Sequence, residues 1–487
     1  MASIKKELTK GVFWIALAKY SGIFISLGIT AILARHVSPA AFGTMAIATV
    51  IMGFLDIFSD MGLGVAIVQF KDLTKHQINS LFTISVGLAV GLTALLFGSA
   101  SIIADFYKDP TLTNIIRWLC ICLFFKALNI IPNGMMLKNK KFKAIAMRTL
   151  SFQIISGGAA CWMALTGWGI YALLISPIVS AIGVFGYNFF NYPQRPILPV
   201  DMEAVKKVWS YSMYQFLFSI INYFSRNADS LIIGKSLSMN ELGYYDKSYR
   251  LMQMPLQNIT FVITPVLHPI LSSLQDDKTQ LAEKNNRLTQ ILSWISFPLG
   301  IILFFAASPI ITIIFGERWI PAIPVFQILA FSVPLQIMTS TSGSFFQAAG
   351  KTKHLFYSGV QSSICTVGAF IIAAIWFRTI EAMAWAWVIA STLNFIFAYF
   401  IMYRLTFHAP IAEFYKRLIP QIINSAVTIG VVYSAIKLWT PISSILEIGW
   451  VLVATAVPTL VMAVLLSQYH PSAIFNKLLK RRDMTSL

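Results

Sequence analysis

The sequence predicts an all-α integral membrane protein with about 14 transmembrane helices, and three observations support this fold class. First, 57% of the 487 residues are hydrophobic and only 11% are charged, whereas a soluble globular chain has about 25% charged residues. Second, the apolar residues form runs of roughly 20, the length that spans a bilayer as a helix. Third, Lys and Arg are concentrated in alternate connections between these runs, as in polytopic membrane proteins.

The apolar runs give the order of the helices along the chain. The connections between them are short, so no soluble domain is expected. The predicted helices cover residues 12–34, 42–62, 79–104, 113–135, 144–166, 168–191, 209–233, 242–272, 288–315, 322–347, 355–377, 380–403, 416–437 and 446–467.

The basic residues predict the orientation of these helices. The N-terminus, the even-to-odd connections and the C-terminus contain roughly four times as many Lys and Arg residues as the other connections, and cytoplasmic loops are the basic ones. The basic segments include Lys138–Lys143 and Lys477–Arg482. Both termini are therefore expected in the cytoplasm. The formal charge of +18 reflects this topology, so no nucleic-acid partner is expected.

An internal repeat divides the chain. The segment "LARHVSPAAFG" (Leu33–Gly43) has a counterpart 200 residues later in "IIGKSLSMNELG" (Ile232–Gly243), and a fixed long period indicates duplication. Each copy contains six helices, so both enter the membrane in the same sense, as in transporters built from parallel repeats. The predicted parts are two six-helix lobes at 1–192 and 209–404, a cytoplasmic linker at 193–208, and residues 405–487 with helices 13 and 14 and a basic tail.

The two repeated segments, Leu33–Gly43 and Ile232–Gly243, each connect two predicted helices and are called the hinges below. Their residues also indicate a local structure. Ser38 and Ser238 are suited to cap the helices that follow them, and Pro39 occupies a first-turn position where proline is tolerated. Arg35 and Lys235 are expected to extend into the outer headgroup layer as interfacial anchors.

Charged residues inside membrane helices point to a cavity, because a charge at mid-membrane costs about 3 kcal/mol or more. They are concentrated on helices 1, 2, 4, 7 and 8, and helices 1, 2, 7 and 8 correspond under the repeat. We therefore predict a central cavity between the two lobes. Fixed cations there suit an anionic substrate, since arginine matches phosphate oxygens. The candidate substrate-binding residues are Lys19, Lys126, Arg226, Arg250, Asn222 and Tyr249, and the candidate residues for ion or proton coupling are Asp56, Asp60, Asp229 and Asp246.

Several of these residues have alternative structural roles. Lys19 is close enough to a helix end to reach the inner membrane surface, and Asp60 is placed to cap the helix end at "DMGLG". Arg226 with Asp229, and Asp246 with Arg250, have the spacing of local ion pairs. Aromatic residues such as Tyr249 also pack between helices without contacting a ligand.

No cofactor site is expected. The segment Ala348–Thr352 resembles part of a phosphate-binding loop, but Phe345 stands where the first glycine is required, so no nucleotide is predicted. The sequence contains no metal-ligand or nucleophile constellation. Energy would come from a gradient, with H⁺ or Na⁺ as the candidate coupling ion.

Longer segments resemble a known family. Residues 33–69, 227–277 and 315–330, followed by "FFQAAGKTK", are similar to the polysaccharide-transporter branch of the multidrug/oligosaccharidyl-lipid/polysaccharide flippase superfamily, which includes colanic-acid exporters and O-antigen flippases. The resemblance implies two six-helix lobes with an additional helix pair, as in multidrug exporters of the superfamily. It also implies the bacterial inner membrane and alternating access. The implied substrate is an oligosaccharide linked to undecaprenyl pyrophosphate.

The leading hypothesis is therefore a flippase for lipid-linked repeat units of lipopolysaccharide, capsule or exopolysaccharide. It acts as a monomer among membrane lipids, with the polysaccharide polymerase and chain-length machinery as candidate partners. A multidrug or metabolite exporter of the same fold is the alternative. A membrane-bound polymerase or acyltransferase would need a large external loop or a catalytic His–Asp pair at depth, so no enzyme is predicted. The identity of the sugar is not encoded in any single motif.

Overall fold

The computed structural model describes residues 2–70, 72–272, 274–275, 277–439 and 443–465, with the exception of side chains at 2–12, 203–215 and scattered positions between 217 and 270. Within these residues all regular secondary structure is helical. The basic segment Lys477–Arg482 lies outside them. The chain forms two compact units. The first comprises Met1–Asp246 and Ile314–Arg318, and the second comprises Lys247–Ile313 and Trp319–Leu487.

The first unit contains the first nine helices and the start of the tenth. In chain order these are α1 (Ala2–His36), α2 (Pro39–Asp60), α3 (Leu63–Gln69), α4 (Lys75–Tyr107), α5 (Thr111–Leu128), α6 (Ile130–Lys138), α7 (Phe142–Leu165), α8 (Tyr171–Asn191), α9 (Met202–Ser236) and α10 (Met239–Ser272). Within the unit, α4 packs on α5, α7 packs on both α1 and α8, and α2 packs on α5 and α9.

The second unit contains the rest of α10 and the helices that follow. These are α11 (Lys278–Phe305), α12 (Ala307–Phe315), α13 (Ala322–Ala330), α14 (Val333–Thr339), α15 (Ser342–Ala348), α16 (Thr352–Ile372), α17 (Ile380–Phe400), α18 (Ile411–Leu438) and α19 (Ser444–Leu465). The last residues of α12 belong to the first unit. Short π-helical segments extend α16 to Phe377 and α17 to Phe407. Within this unit α16 packs on α17, and α18 packs on α11 and α19.

Each predicted apolar run overlaps one or more helices. The run at 42–62 matches α2, which ends at Asp60, and the short helix α3 lies beyond this run, after Met61 and Gly62 take left-handed backbone conformations (φ 40° and 79°). Other runs are broken. The run at 113–135 breaks at Asn129, between α5 and α6. The run at 322–347 divides into α13, α14 and α15. Apolar periodicity does not show such breaks, because both sides of each break remain hydrophobic.

The helices show that this is a multi-pass membrane protein. Among the described residues, ten helical segments are long and apolar enough to cross a membrane, and a bent pair at Ala322–Ala348 raises this to eleven. The ten do not include α7, α9 or α10. The helices α9 and α10 carry Arg226, Asp229, Asp246 and Arg250, which is why they are less apolar than their neighbours.

Candidate functional site

The two hinges meet inside the first unit. A methyl group added at Gly43 would overlap the carbonyl oxygen of Met239, and one added at Gly243 would overlap the carbonyl oxygen of Pro39. The same hypothetical Cβ atoms would lie 3.1 Å and 3.3 Å from the amide nitrogen of the opposite glycine. Residues 200 positions apart thus make the same contacts reciprocally, and the start of α2 crosses the start of α10 backbone to backbone.

The caps predicted at these hinges are confirmed. The Ser38 hydroxyl accepts a hydrogen bond from the amide of Ala41 (3.3 Å), with Pro39 in the first turn of α2. The Ser238 hydroxyl accepts one from the amide of Glu241 (3.3 Å), and the Glu241 carboxylate accepts one from the amide of Ser238 (2.8 Å). This reciprocal pair is a capping box, and it fixes the start of α10.

A cavity of about 550 Å³ that contains both charged and apolar lining residues lies beside the hinges in the first unit. Its lining includes Lys235, whose Nζ donates a hydrogen bond to the carbonyl of Phe106 (2.6 Å) and lies 4.0 Å from the centre of the Phe106 ring. It also includes Asp109, which accepts a hydrogen bond from the hydroxyl of Thr44 (2.7 Å). Lys235 is therefore held by the backbone and the ring of Phe106, and its extension into the headgroup layer stays a prediction.

An aromatic seam joins α2 to α9. The Tyr223 hydroxyl donates a hydrogen bond to the carbonyl of Val50 (2.6 Å), and its ring lies over Gly53, where a methyl group would collide with the hydroxyl. The ring of Phe54 packs against Phe224 with centroids 4.8 Å apart. This seam fixes the rotation of α9 about its axis and so determines which of its polar residues are exposed.

Two predicted site residues, Lys126 of α5 and Asp56 of α2, form a salt bridge. The Lys126 Nζ lies 2.7 Å from Asp56 Oδ2, and the two side chains are 45% and 31% exposed. The second carboxylate oxygen of Asp56 is buried without a hydrogen-bond partner. A predicted ligand for phosphate thus directly contacts a predicted coupling carboxylate.

The structure gives Asp60 the capping role. Its Oδ1 accepts a hydrogen bond from the amide of Gly64 (3.1 Å), which satisfies a free amide in the first turn of α3. Lys19 is half-buried on α1, one turn before Gly22. The carbonyl of Gly22 accepts a hydrogen bond from the Gln153 side chain of α7 (2.7 Å), so Lys19 lies next to a polar contact between α1 and α7.

The predicted residues of α9 differ in exposure. Asn222 and Arg226 are exposed and lie one helical turn apart. Asp229 is buried and accepts a hydrogen bond from the amide of Ser230 (2.7 Å), and Asp246 of α10 is also buried. Arg226 has no carboxylate partner among the described residues, so the local ion pair with Asp229 does not form.

In the second unit, Tyr249 belongs to a packed polar network. The Gln253 side chain donates hydrogen bonds to the Tyr249 hydroxyl (3.1 Å) and to the side-chain oxygen Oε1 of Gln336 (3.0 Å). The Tyr249 ring meets Trp387 edge to face, with centroids 5.0 Å apart. Arg250, the next residue, is exposed.

Sequence reasoning missed a buried arginine, Arg148 of α7. Its guanidinium donates hydrogen bonds to the side-chain oxygens of Asn188 and Asn133, and the Asn188 amide donates to Asn129 (2.8 Å). The three asparagines lie in apolar runs, and a buried side-chain amide needs a polar partner. Their presence could therefore have indicated a buried polar network. The network ties α7 to α8 and to the break between α5 and α6.

A cluster in the second unit was also not predicted. Arg417 of α18 forms a bidentate pair with Glu283 of α11 (3.1 and 2.7 Å) and also contacts Glu413 (2.9 Å). Arg287 contacts the same Glu283 (2.8 Å). The cluster ties α11 to α18. Across the described parts of the chain, no group of three or more His, Cys, Asp or Glu side chains is placed to hold a metal ion.

Comparison with known proteins places these features in a family context. The family model for "Polysaccharide biosynthesis protein" matches residues 32–324, more than half of the chain. The chain is 26% identical to the teichuronic acid biosynthesis protein TuaB of Bacillus subtilis, over 81% of this chain and 82% of that protein. It is also 26% identical to the lipopolysaccharide biosynthesis protein WzxC of Escherichia coli, over 82% of each chain.

Two solved structures have a similar fold. The lipid II flippase MurJ, in an inward closed conformation, is 14% identical and matches with a TM-score of 0.73 over 93% of this chain and 99% of its own. A multidrug resistance MATE family transporter of the MOP superfamily, in an inward-facing conformation, is 12% identical and matches with a TM-score of 0.56 over 80% of this chain and 94% of its own. At this identity the likeness concerns the fold alone, and it confirms the predicted all-helical class.

Proposed function

The chain belongs to the polysaccharide biosynthesis protein family, as its sequence resemblance predicted, and from this premise we propose that it is a lipid-linked oligosaccharide flippase. It moves repeat units linked to undecaprenyl pyrophosphate from the inner to the outer leaflet by alternating access. The names of two relatives refer to the biosynthesis of teichuronic acid and of lipopolysaccharide. Such polymers need their repeat units on the far side of the membrane, which supports this proposal. In this proposal the protein is a transporter, and it catalyses no covalent step.

The proposed topology follows the charge bias of the loops. The chain crosses the bacterial inner membrane 14 times in this proposal, with both termini in the cytoplasm and the hinges outside. Two six-helix lobes (1–192 and 209–404) follow the sequence repeat, with the linker at 193–208 and the additional helices in 405–487. The reciprocal contacts of Gly43 and Gly243 support a duplication. The protein works as a monomer, and its candidate partners are the polymerase and chain-length machinery.

The observation that carries the proposed substrate site is the exposed guanidinium of Arg226. It lies on a helix that the topology places in the membrane, with no carboxylate partner among the described residues. An uncompensated charge at this depth is costly, and a pyrophosphate would compensate it through two-pronged hydrogen bonds. Asn222, exposed one turn away, would contact the phosphate or the first sugar.

The pair of Lys126 and Asp56 would link substrate binding to a coupling ion. In the structure Asp56 neutralises Lys126 at 2.7 Å. Protonation of Asp56, or binding of Na⁺ to it, would release the ammonium group to a phosphate. Substrate and coupling ion would then favour the same rearrangement, which is the requirement for energetic linkage between two ligands.

The remaining candidate residues are assigned to substrate binding or to coupling. Lys19 would bind the substrate from α1, and Arg250 and Tyr249 would do so within the second unit. Asp229 and Asp246 are buried and would take part in coupling. Asp60 is the weakest coupling candidate, since its carboxylate caps α3.

A cell-based test uses a host that lacks this gene and is complemented with variants. Arg226→Gln should abolish surface polysaccharide and cause the lipid-linked repeat unit to accumulate, at a protein level equal to that of the wild type. Arg378→Gln is the matched control, because Arg378 is an exposed arginine at the end of the helical segment after α16. It should support normal export.

The outcomes separate the site from the function. Normal export by Arg226→Gln would refute the site assignment alone. Normal polysaccharide in the host without the gene, together with loss of resistance to organic cations, would refute the flippase and favour the multidrug exporter.

A further inference from the structure

A groove in the first unit is not used by the proposed transport site. It has a volume of about 550 Å³ and is formed by the second half of α4 and most of α5. Its lining includes Thr93 and Phe97 from α4, and Arg117, Trp118, Ile121 and Phe124 from α5. The side chains of Phe97 and Trp118 are 52% and 53% exposed, so the groove opens to the surface of the unit.

The floor of the groove is apolar. Phe97, Ile121 and Phe124 provide hydrocarbon surface along it. The Thr93 hydroxyl is buried without a hydrogen-bond partner. Arg117 to Phe124 spans seven residues of α5, or about 10 Å at 1.5 Å per residue. Such a channel matches part of an extended acyl chain.

One end of the groove carries a positive charge. The guanidinium of Arg117 lies 5.1 Å from the centre of the Phe97 ring, and within the described residues it has no carboxylate partner. Arg117 lies six residues after the start of α5, about 9 Å along the helix. Trp118 stands next to it, and tryptophan is typical of the membrane–water interface.

We propose that this groove binds one anionic glycerophospholipid of the outer leaflet. The phosphate contacts Arg117, and an acyl chain lies along Phe97, Ile121 and Phe124. The assignment to the outer leaflet rests on the proposed topology, whereas the binding itself is independent of flipping. A pyrophosphate-linked glycan would bring more negative charge than a single arginine compensates. A different apolar cavity, about 350 Å³ near Gly300 and Pro334 in the second unit, has no charged residue among its lining residues.

The test uses the purified full-length protein in detergent and native mass spectrometry with added phosphatidylglycerol or phosphatidylcholine. Arg117→Gln should weaken retention of phosphatidylglycerol by about tenfold, since a charge-assisted pair is lost. Ile121→Trp keeps the charge but fills the groove, and it should reduce retention to a similar degree. The wild type should retain phosphatidylglycerol in preference to phosphatidylcholine.

The matched control is Lys437→Gln. Lys437 is another exposed cation over an aromatic ring, 4.7 Å from the centre of Tyr433, but it does not line this groove. This variant should retain phosphatidylglycerol like the wild type. Equal retention by Arg117→Gln and the wild type would overturn the proposal. So would equal loss in Lys437→Gln, unchanged retention in Ile121→Trp, or equal retention of both lipids by the wild type.

Discussion

Lys126 and Asp56, which are 70 residues apart in the chain, form a salt bridge of 2.7 Å between α5 and α2. Neither residue has another charged partner in the described part of the protein. Both side chains remain partly accessible, so the pair is able to open without unfolding its surroundings. This contact connects the two functions proposed for the site, which are phosphate binding and coupling.

The first prediction separates these functions from a structural role of the pair. Lys126→Gln should abolish polysaccharide export and lower the free energy of unfolding by about 1–3 kcal/mol, because it leaves the partly buried Asp56 carboxylate without its cation. The charge-swapped double variant, Asp56→Lys with Lys126→Asp, should restore the salt bridge but not export. Export assays and thermal unfolding in detergent measure the two effects. Rescue of export by the swap would show that only the pairing matters.

The second prediction concerns the crossing of the hinges. Gly43→Ala should destabilise the protein by about 1–3 kcal/mol, the usual cost of overpacking, because its methyl group would overlap the carbonyl of Met239. Gly28→Ala is the matched control. Gly28 is a helical glycine with no atom within 4 Å of the added methyl group, so alanine should stabilise α1 by roughly 0.5–1 kcal/mol. Equal melting temperatures of the two variants would contradict the close crossing.

The third prediction concerns the buried arginine. Arg148→Ala should lower stability by about 1–3 kcal/mol, because Asn188 and Asn133 would lose a charged donor in a buried site. Lys75→Ala removes an exposed cation at the start of α4 and should change the melting temperature little. If both variants unfold at the wild-type temperature, the network has no structural role.

The fourth prediction concerns the seam between α2 and α9. Tyr223→Phe removes one hydrogen bond to the carbonyl of Val50 and should cost about 0.5–1.5 kcal/mol. Gly53→Ala pushes a methyl group against the Tyr223 hydroxyl and should cost more. In the double variant the collision is relieved, so the two effects should be less than additive. Strict additivity in thermal unfolding would contradict the contact.

Much of the fold follows from local patterns in the sequence. The apolar runs located the helical regions, and Ser38 and Ser238 identified two helix starts, since both signals act over one or two turns. The helix end at Met61 and Gly62 was expected from "DMGLG", but the short helix α3 that follows was not, because its start depends on left-handed backbone conformations. The presence of glycine alone does not reveal such conformations.

The candidate site was less predictable, because its contacts are long-range. Asp56 and Lys126 were singled out because they are charged residues inside predicted membrane helices 2 and 4. The periodicity of apolar residues does not show that the two side chains are in contact. Asp60 was given two roles, and the choice depended on where the amide of Gly64 points. The partners of Arg148 come from three separate segments, which only the folded chain brings together.

Flipping of the lipid-linked oligosaccharide is measured in proteoliposomes that contain the purified protein and the oligosaccharide isolated from a host lacking this gene. A membrane-impermeant glycosidase or lectin outside the vesicles reports the fraction of oligosaccharide that is accessible over time. The wild type should expose the initially protected inner-leaflet fraction, whereas Arg226→Gln should leave it protected as in protein-free vesicles. Protection that persists with the wild-type protein, or equal exposure by Arg226→Gln, would contradict the proposed function and its site.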